Sequence, residues 1–197
     1  MAESDISVAA PLVASDPRWI KTVLADFDVF LQDHASCEKK ASGMAMNVAA
    51  HYPDQPALLA AMVDLAVEEL NHYREVVKLL LTRQIAPAPD VKDAYVGTLN
   101  QQVRRGTENF LLDRLLVGAV VERRGAERFE LIAQHLNDPI LQAFYQDIAL
   151  SETRHWLLFV DLASSHCDAT AVVPRFIELA AFENELVSTL PLRAALH

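Results

Sequence analysis

The chain has 197 residues, 52% of them hydrophobic, and a net charge of −10. Its length suits one domain with a sizeable core, and the acidity speaks against broad electrostatic adhesion to nucleic acid. No apolar run is long and charge-free enough to span a bilayer, and only five glycines among abundant Ala and Leu favour helices over a Gly-punctuated β fold.

The start, Met1-Ala2-Glu3-Ser4-Asp5, lacks the basic region of a signal peptide. Cys37 and Cys167 form neither a CxxC motif nor a disulfide framework, so a reducing cytoplasm is the expected compartment. Residues 1 to about 15 read as a loose arm with apolar anchors. Ser15-Asp16-Pro17 then starts a helix, a capping side chain followed by Pro in the first turn, which is expected to run to about Ala50. A turn at His51-Tyr52-Pro53-Asp54-Gln55-Pro56 leads to a second helix from about Pro56 to Arg83. Its apolar residues Leu58, Leu59, Met62, Leu65, Ala66, Leu70, Val76, Leu79 and Leu80 recur at helical spacing. Ala86-Pro87-Ala88-Pro89 breaks the chain before a shorter helical piece expected from about Asp90 to Arg104, the crossover between the two hairpins.

The third long helix is expected from about Thr107 to Leu136. Asn137-Asp138-Pro139 repeats the cap-then-Pro signal and opens a fourth, from Pro139 to about Ser164. A loop over His166–Val173 precedes a last helix from Pro174 to about Thr189. Two long hairpins joined by a crossover, with an added C-terminal helix, define an all-α, ferritin-like four-helix bundle, expected as one domain over residues 1–197.

Each predicted hairpin carries the same pattern. Glu38 precedes Glu69-Leu70-Asn71-His72 by 31 residues, and Glu122 precedes Glu152-Thr153-Arg154-His155 by 30. Residues three apart share a helix face, so the Glu and His of each Glu-x-x-His reach one inward point, and the lone Glu of the partner helix adds a second oxygen donor. Chance supplies about half of one Glu-x-x-His in a chain of this composition, so one copy means little. Two copies, each with a lone Glu at hairpin distance, form the ligand set of a carboxylate-bridged two-metal centre. Hard oxygens mixed with imidazole suit Fe or Mn better than Zn, Mg or Ca.

Leu115, Gly118, Ala119, Ala126 and Phe129 lie near the Glu122 face, and Leu31, His34, Ala41, Ser42 and Ala45 near Glu38. The small residues leave room for dioxygen and a substrate tail, or simply let helices pack closely. His34 is open to three readings: a partner of the ligands, a substrate contact or a satisfied core histidine, the last being the plainest. Tyr145, two turns before Glu152, reads as redox-active or, more simply, as core packing. Cys37 is a neighbour of Glu38 rather than a ligand, since adjacent helix positions point about 100° apart. Lys39-Lys40, Arg104-Arg105, Arg123-Arg124 and Arg128 form either a local basic face or ordinary solvated charges.

The six-ligand pattern resembles the ferritin-like di-iron superfamily. More narrowly, the chain resembles the bacterial tRNA hydroxylases that act on 2-methylthio-N6-isopentenyladenosine. That resemblance spans about Asp16 to Thr189 and rests on Ala35-Ser36-Cys37-Glu38-Lys39-Lys40-Ala41, Glu68-Glu69-Leu70-Asn71-His72 and Ser151-Glu152-Thr153-Arg154-His155. It implies a monooxygenase with two non-haem Fe ions held by Glu38, Glu69, His72, Glu122, Glu152 and His155, with Glu69 and Glu152 as the bridging carboxylates. It also implies dioxygen as co-substrate, tRNA as substrate, an unidentified electron donor and a soluble monomer or small oligomer. Arg104, Arg105, Arg123, Arg124 and Arg128 are then the candidates for RNA phosphate contacts. The alternative within the superfamily is an iron-storage or peroxide-reducing protein of bacterioferritin or rubrerythrin type.

Overall fold

The computed structural model describes residues 9–197, the side chain of Glu108 apart. The described elements are all helical: α1 Pro17–Ala25, α2 Phe27–His51, α3 Pro56–Thr82, α4 Ala94–Asn100, α5 Thr107–His135, α6 Pro139–His166 and α7 Ala169–Thr189. Contacts group the chain into two compact units. One comprises Lys21–Val91 and Arg193–Leu196; the other comprises the described residues up to Ile20, Lys92–Leu192 and His197.

The first unit is the α2–α3 hairpin. α2 buries Phe30, Leu31, Ala35, Ala45, Val48 and Ala49, and α3 buries Leu58, Met62, Leu65, Ala66, Val76 and Leu80. These are the stripes that helical periodicity demands. Pro56 opens α3 where its missing N–H costs nothing. Gln84, at φ 61, closes it in the left-handed conformation, with Ile85 N–H donating back to Leu80 O at 2.9 Å, a Schellman-type end. The Pro-rich segment then returns along α2. Gln32 donates to Ala86 O at 2.6 Å, Lys40 to Val91 O at 2.8 Å, and Asp90 takes Ser36 and Lys39, each at 2.9 Å.

The expected single helix from Pro17 to Ala50 is broken at Asp26, whose φ −140 and ψ 60 leave the helical region. Asp is a weak interior residue because its side chain competes with the backbone for hydrogen bonds. The chain also passes from one unit to the other just before this point, after Ile20.

The second unit is the α5–α6 hairpin with α4 and α7. Asp138 caps α6 by accepting from Ile140 and Leu141 N–H, and Asp93 caps α4 through Tyr95 and Val96 N–H. At Gly118 the absence of a side chain admits the tip of the Phe159 ring, which a Cβ there would meet at 3.1 Å. The last helix begins at Ala169, before the expected Pro174. Asp168 supplies the cap by accepting from Thr170 N–H, and Pro174 rides inside the helix. Pro174 has no N–H to donate and crowds the carbonyl four residues before it, yet the helix runs through it.

Arginines tie this unit together. Arg124 is wholly buried, pairs with both oxygens of Glu183 at 2.7 and 2.9 Å and donates to Val13 O at 2.8 Å; Tyr95 Oη donates to the same Glu183 at 3.0 Å. Arg123 donates to Ala10 O at 2.6 Å and lies against the rings of Trp156 and Phe176. Arg128 sits over Trp19, 4.7 Å from its centroid, and donates to Ser15 Oγ. Residues 10–15 are therefore not the loose arm expected, because their carbonyls and Ser15 satisfy buried guanidinium groups; residues 1–8 of that arm lie outside the described residues.

Removing one partner of a buried pair strands the other charge. Glu183→Ala should therefore lower unfolding free energy by about 3–5 kcal/mol in urea melts. A loss below about 1 kcal/mol, the scale of an exposed pair, would show that the Arg124 pairing is not a structural tie.

Candidate metal centre

Each hairpin presents one buried triad. In the first, Glu38 comes from α2 and Glu69 and His72 from α3, with one ligand atom from each within 4.8 Å of the others. His72 Nδ1 lies 3.5 Å from Glu38 Oε2 and 3.6 Å from Glu69 Oε2. Glu38 and Glu69 are buried, and His72 is the more open member, its side chain 14% exposed. In the second, Glu122 comes from α5 and Glu152 and His155 from α6, again with ligand atoms within 4.8 Å. His155 Nδ1 stands 3.8 Å from Glu152 Oε2, and all three residues are buried. The i,i+3 spacing on α3 and α6 puts the Glu and His one turn apart on a single inward face.

Two carboxylates and an imidazole gathered out of water are costly unless protons, cations or a metal compensate them. In the first triad, burial pushes the Glu38 carboxyl up, but a hydrogen bond from His34 and the imidazole of His72 outweigh it and hold it well below the usual range. Burial pushes His72 down, but the Glu38 and Glu69 carboxylates beside it raise it to about 9. In the metal-free protein His72 therefore carries a proton at neutral pH. Hard oxygen donors with one imidazole per triad fit iron or manganese.

Other residues fall into place around the triads. His34 is fully buried, and its Nε2–H donates to Glu38 Oε1 at 2.6 Å. The plainest sequence reading made it a core histidine; its i,i+4 spacing from Glu38 was the signal for the alternative. Gly125, not singled out by the sequence, faces Glu152: a Cβ there would lie 3.7 Å from its Oε2. Tyr145 is wholly buried, stacked on Phe129 and edge-on to Phe144, which is core packing. Cys37 and Cys167 are free thiols, and Cys37 Sγ lies 3.7 Å from the Asp33 carboxylate.

Among the candidates for RNA contact, Arg123, Arg124 and Arg128 are corrected to interior ties, since buried guanidinium groups engaged within the fold do not reach a phosphate. Arg104 and Arg105 are exposed, Arg104 with a double hydrogen bond to the buried Asp113.

The family model described as tRNA-(MS[2]IO[6]A)-hydroxylase (MiaE) matches residues 10–197. A Pseudomonas putida protein named tRNA 2-(methylsulfanyl)-N(6)-isopentenyladenosine(37) hydroxylase is 36% identical over 172 residues, covering 87% of this chain and 83% of that protein. A Salmonella typhimurium protein of the same name is 34% identical over 126 residues, covering 63% of this chain and 46% of that protein. The solved structure "Protein 43 with aldehyde deformylating oxygenase activity" from Synechococcus matches with a TM-score of 0.89 and 31% identity, covering 95% of this chain and 94% of that one. The fold is all-α and ferritin-like, as the hairpin pattern predicted.

A ring nitrogen holds a proton or a metal, not both, so loading the metal-free protein must displace the His72 proton. Below pH 9 that proton competes, and affinity should rise with pH up to that point. Calorimetric metal titrations near neutral pH, in two buffers of different ionisation enthalpy, should show release of about one proton at this triad. His72→Ala should abolish that release and lower metal stoichiometry; release and stoichiometry both unchanged would exclude His72 as a ligand.

Proposed function

The chain belongs to the tRNA-(MS[2]IO[6]A)-hydroxylase (MiaE) family, and from that membership we propose that it hydroxylates the isopentenyl side chain of a 2-methylthio-N6-isopentenyladenosine beside the tRNA anticodon, using two iron ions. The observation that carries the reading is the pair of buried Glu–Glu–His triads, one in each hairpin of a ferritin-like chain. Glu38, Glu69 and His72, with Glu122, Glu152 and His155, would hold the irons. We further propose that residues 1–197 serve this reaction as one functional domain.

Bound iron would supply what no side chain can: electrons and a site for dioxygen, against an allylic C–H bond that acid–base groups alone do not oxidise. The reaction consumes the C–H substrate, dioxygen, two electrons and two protons. One oxygen atom ends in the alcohol and the other in water. The two electrons come from a donor protein or small reductant. The chain's own contribution is positional and protective. Carboxylates anchored on α2, α3, α5 and α6 fix the donors, and their burial limits competing reactions with water. The substrate base must leave its stack to reach such a site, which costs least in a single-stranded loop. Among the described residues no helix is long and apolar enough to cross a membrane, consistent with the cytoplasmic location proposed for an enzyme acting on tRNA.

Nucleoside mass spectrometry tests the reaction. Iron-loaded protein given reductant, oxygen and tRNA carrying the methylthio-isopentenyl base should add one oxygen to that nucleoside, with no addition when iron or oxygen is withheld. Two bound irons and consumed reductant without product would overturn the substrate assignment. Arg105, exposed at the end of the crossover, is the proposed phosphate contact, with Arg104 beside it. Arg105→Glu should weaken tRNA binding and lower the magnitude of its salt slope by about one or more; an unchanged slope and affinity would remove it.

A further inference from the structure

His34 stands one turn before Glu38 on α2, fully buried, with its ring tilted against Phe30 at a centroid distance of 5.8 Å. Its Nε2–H donates to Glu38 Oε1 at 2.6 Å, while the other oxygen, Oε2, faces His72 Nδ1 at 3.5 Å. The two oxygens of Glu38 thus have different surroundings before any metal arrives. We propose that His34 is a positioning residue of the metal centre: it occupies Oε1 and so makes Glu38 a one-oxygen ligand that binds through Oε2. This rests on the metal-centre half of the function proposed above and is independent of the tRNA half.

The physical reason lies in burial. A hydrogen bond to a carboxylate of this length is a strong, charge-assisted one. Binding metal through Oε1 as well would break it inside the fold, where bulk water does not replace the lost partner. A carboxylate free at both oxygens moves easily between one-oxygen and two-oxygen binding, whereas Glu38 is tied. The corresponding position in the other hairpin, four residues before Glu122, is Gly118, which carries no side chain for such a role; the Phe159 tip takes that space. Pinning from this position is therefore a property of the α2–α3 triad alone.

The test compares His34→Gln, which keeps an N–H donor, with His34→Leu, which keeps bulk and removes the donor. Each full-length protein is loaded anaerobically with ferrous iron-57, and iron affinity, stoichiometry and the Mössbauer spectrum of the reduced protein are read, with helical content by circular dichroism as control. His34→Leu should bind one of its two irons about tenfold more weakly, the scale seen when a residue supporting a ligand is lost. One of the two quadrupole doublets should shift, and His34→Gln should restore both properties. A folded His34→Leu protein with wild-type affinity and spectrum would overturn the proposal. Should the Leu variant not fold, a crystal structure of the iron-loaded wild type decides: metal on Oε2 alone with Oε1 on His34 supports it, while metal on both oxygens or on His34 itself overturns it. Iron-loaded wild type that fails to hydroxylate tRNA leaves these readouts standing and sinks only the substrate assignment; wild type that binds no iron overturns both.

Discussion

Buried carboxylates are the constraint on which the molecule is organised. A carboxylate removed from water costs several kcal/mol unless something positive or hydrogen-bonding replaces its solvent. In the α2–α3 hairpin that role falls to imidazoles: His34 hydrogen-bonded to one oxygen of Glu38, and His72, whose Nδ1 lies 3.5 Å from Glu38 and 3.6 Å from Glu69. These contacts offset part of the cost of burying the α2–α3 carboxylates before any metal is bound. Pre-formed donors of this kind lose little freedom on binding, which favours a rigid, selective site.

The same economy explains where the basic residues went. Glu122 is followed on α5 by Arg123 and Arg124, and a candidate ligand and two arginines in sequence point to three different sides of the helix. Arg124 locks onto Glu183 of α7, and Arg123 packs over Trp156, the residue after the ligand candidate His155 on α6. The ties therefore sit one residue away from the groups whose direction matters. These contacts join α5 to α6 and α7 at the residues directly following Glu122. Arginines that look like an RNA face in one dimension are internal cross-links in three.

What the sequence allowed to be read, and what it hid, follows the range of each interaction. The Glu-x-x-His spacings are local, and helix geometry alone places both residues on one face. The starts of α3 and α6 are also local, each marked by Pro at the first helical position. The pairing of Arg124 with Glu183 spans 59 residues and left no trace in spacing or composition. At Asp168 and Pro174 two local signals competed, and the helix starts at the Asp168 cap and continues through Pro174. His34 was legible in position but not in role, since a core histidine and a ligand's partner share the same i,i+4 spacing. Only the 2.6 Å approach to Glu38 separates them.

The two hairpins repeat one ligand pattern at an offset of 84 residues for the lone Glu and 83 for the Glu-x-x-His, yet they support it differently. Four residues before Glu38 the chain has His34, used to hold an oxygen. Four residues before Glu122 it has Gly118, used to let α5 and α6 pack against each other through Phe159. The first hairpin spends that position on electrostatics and the second on close approach. The two hairpins thus surround matching candidate ligands with different neighbours: a hydrogen-bonding imidazole beside Glu38, and at the matching position of the other hairpin a glycine that admits an aromatic ring tip.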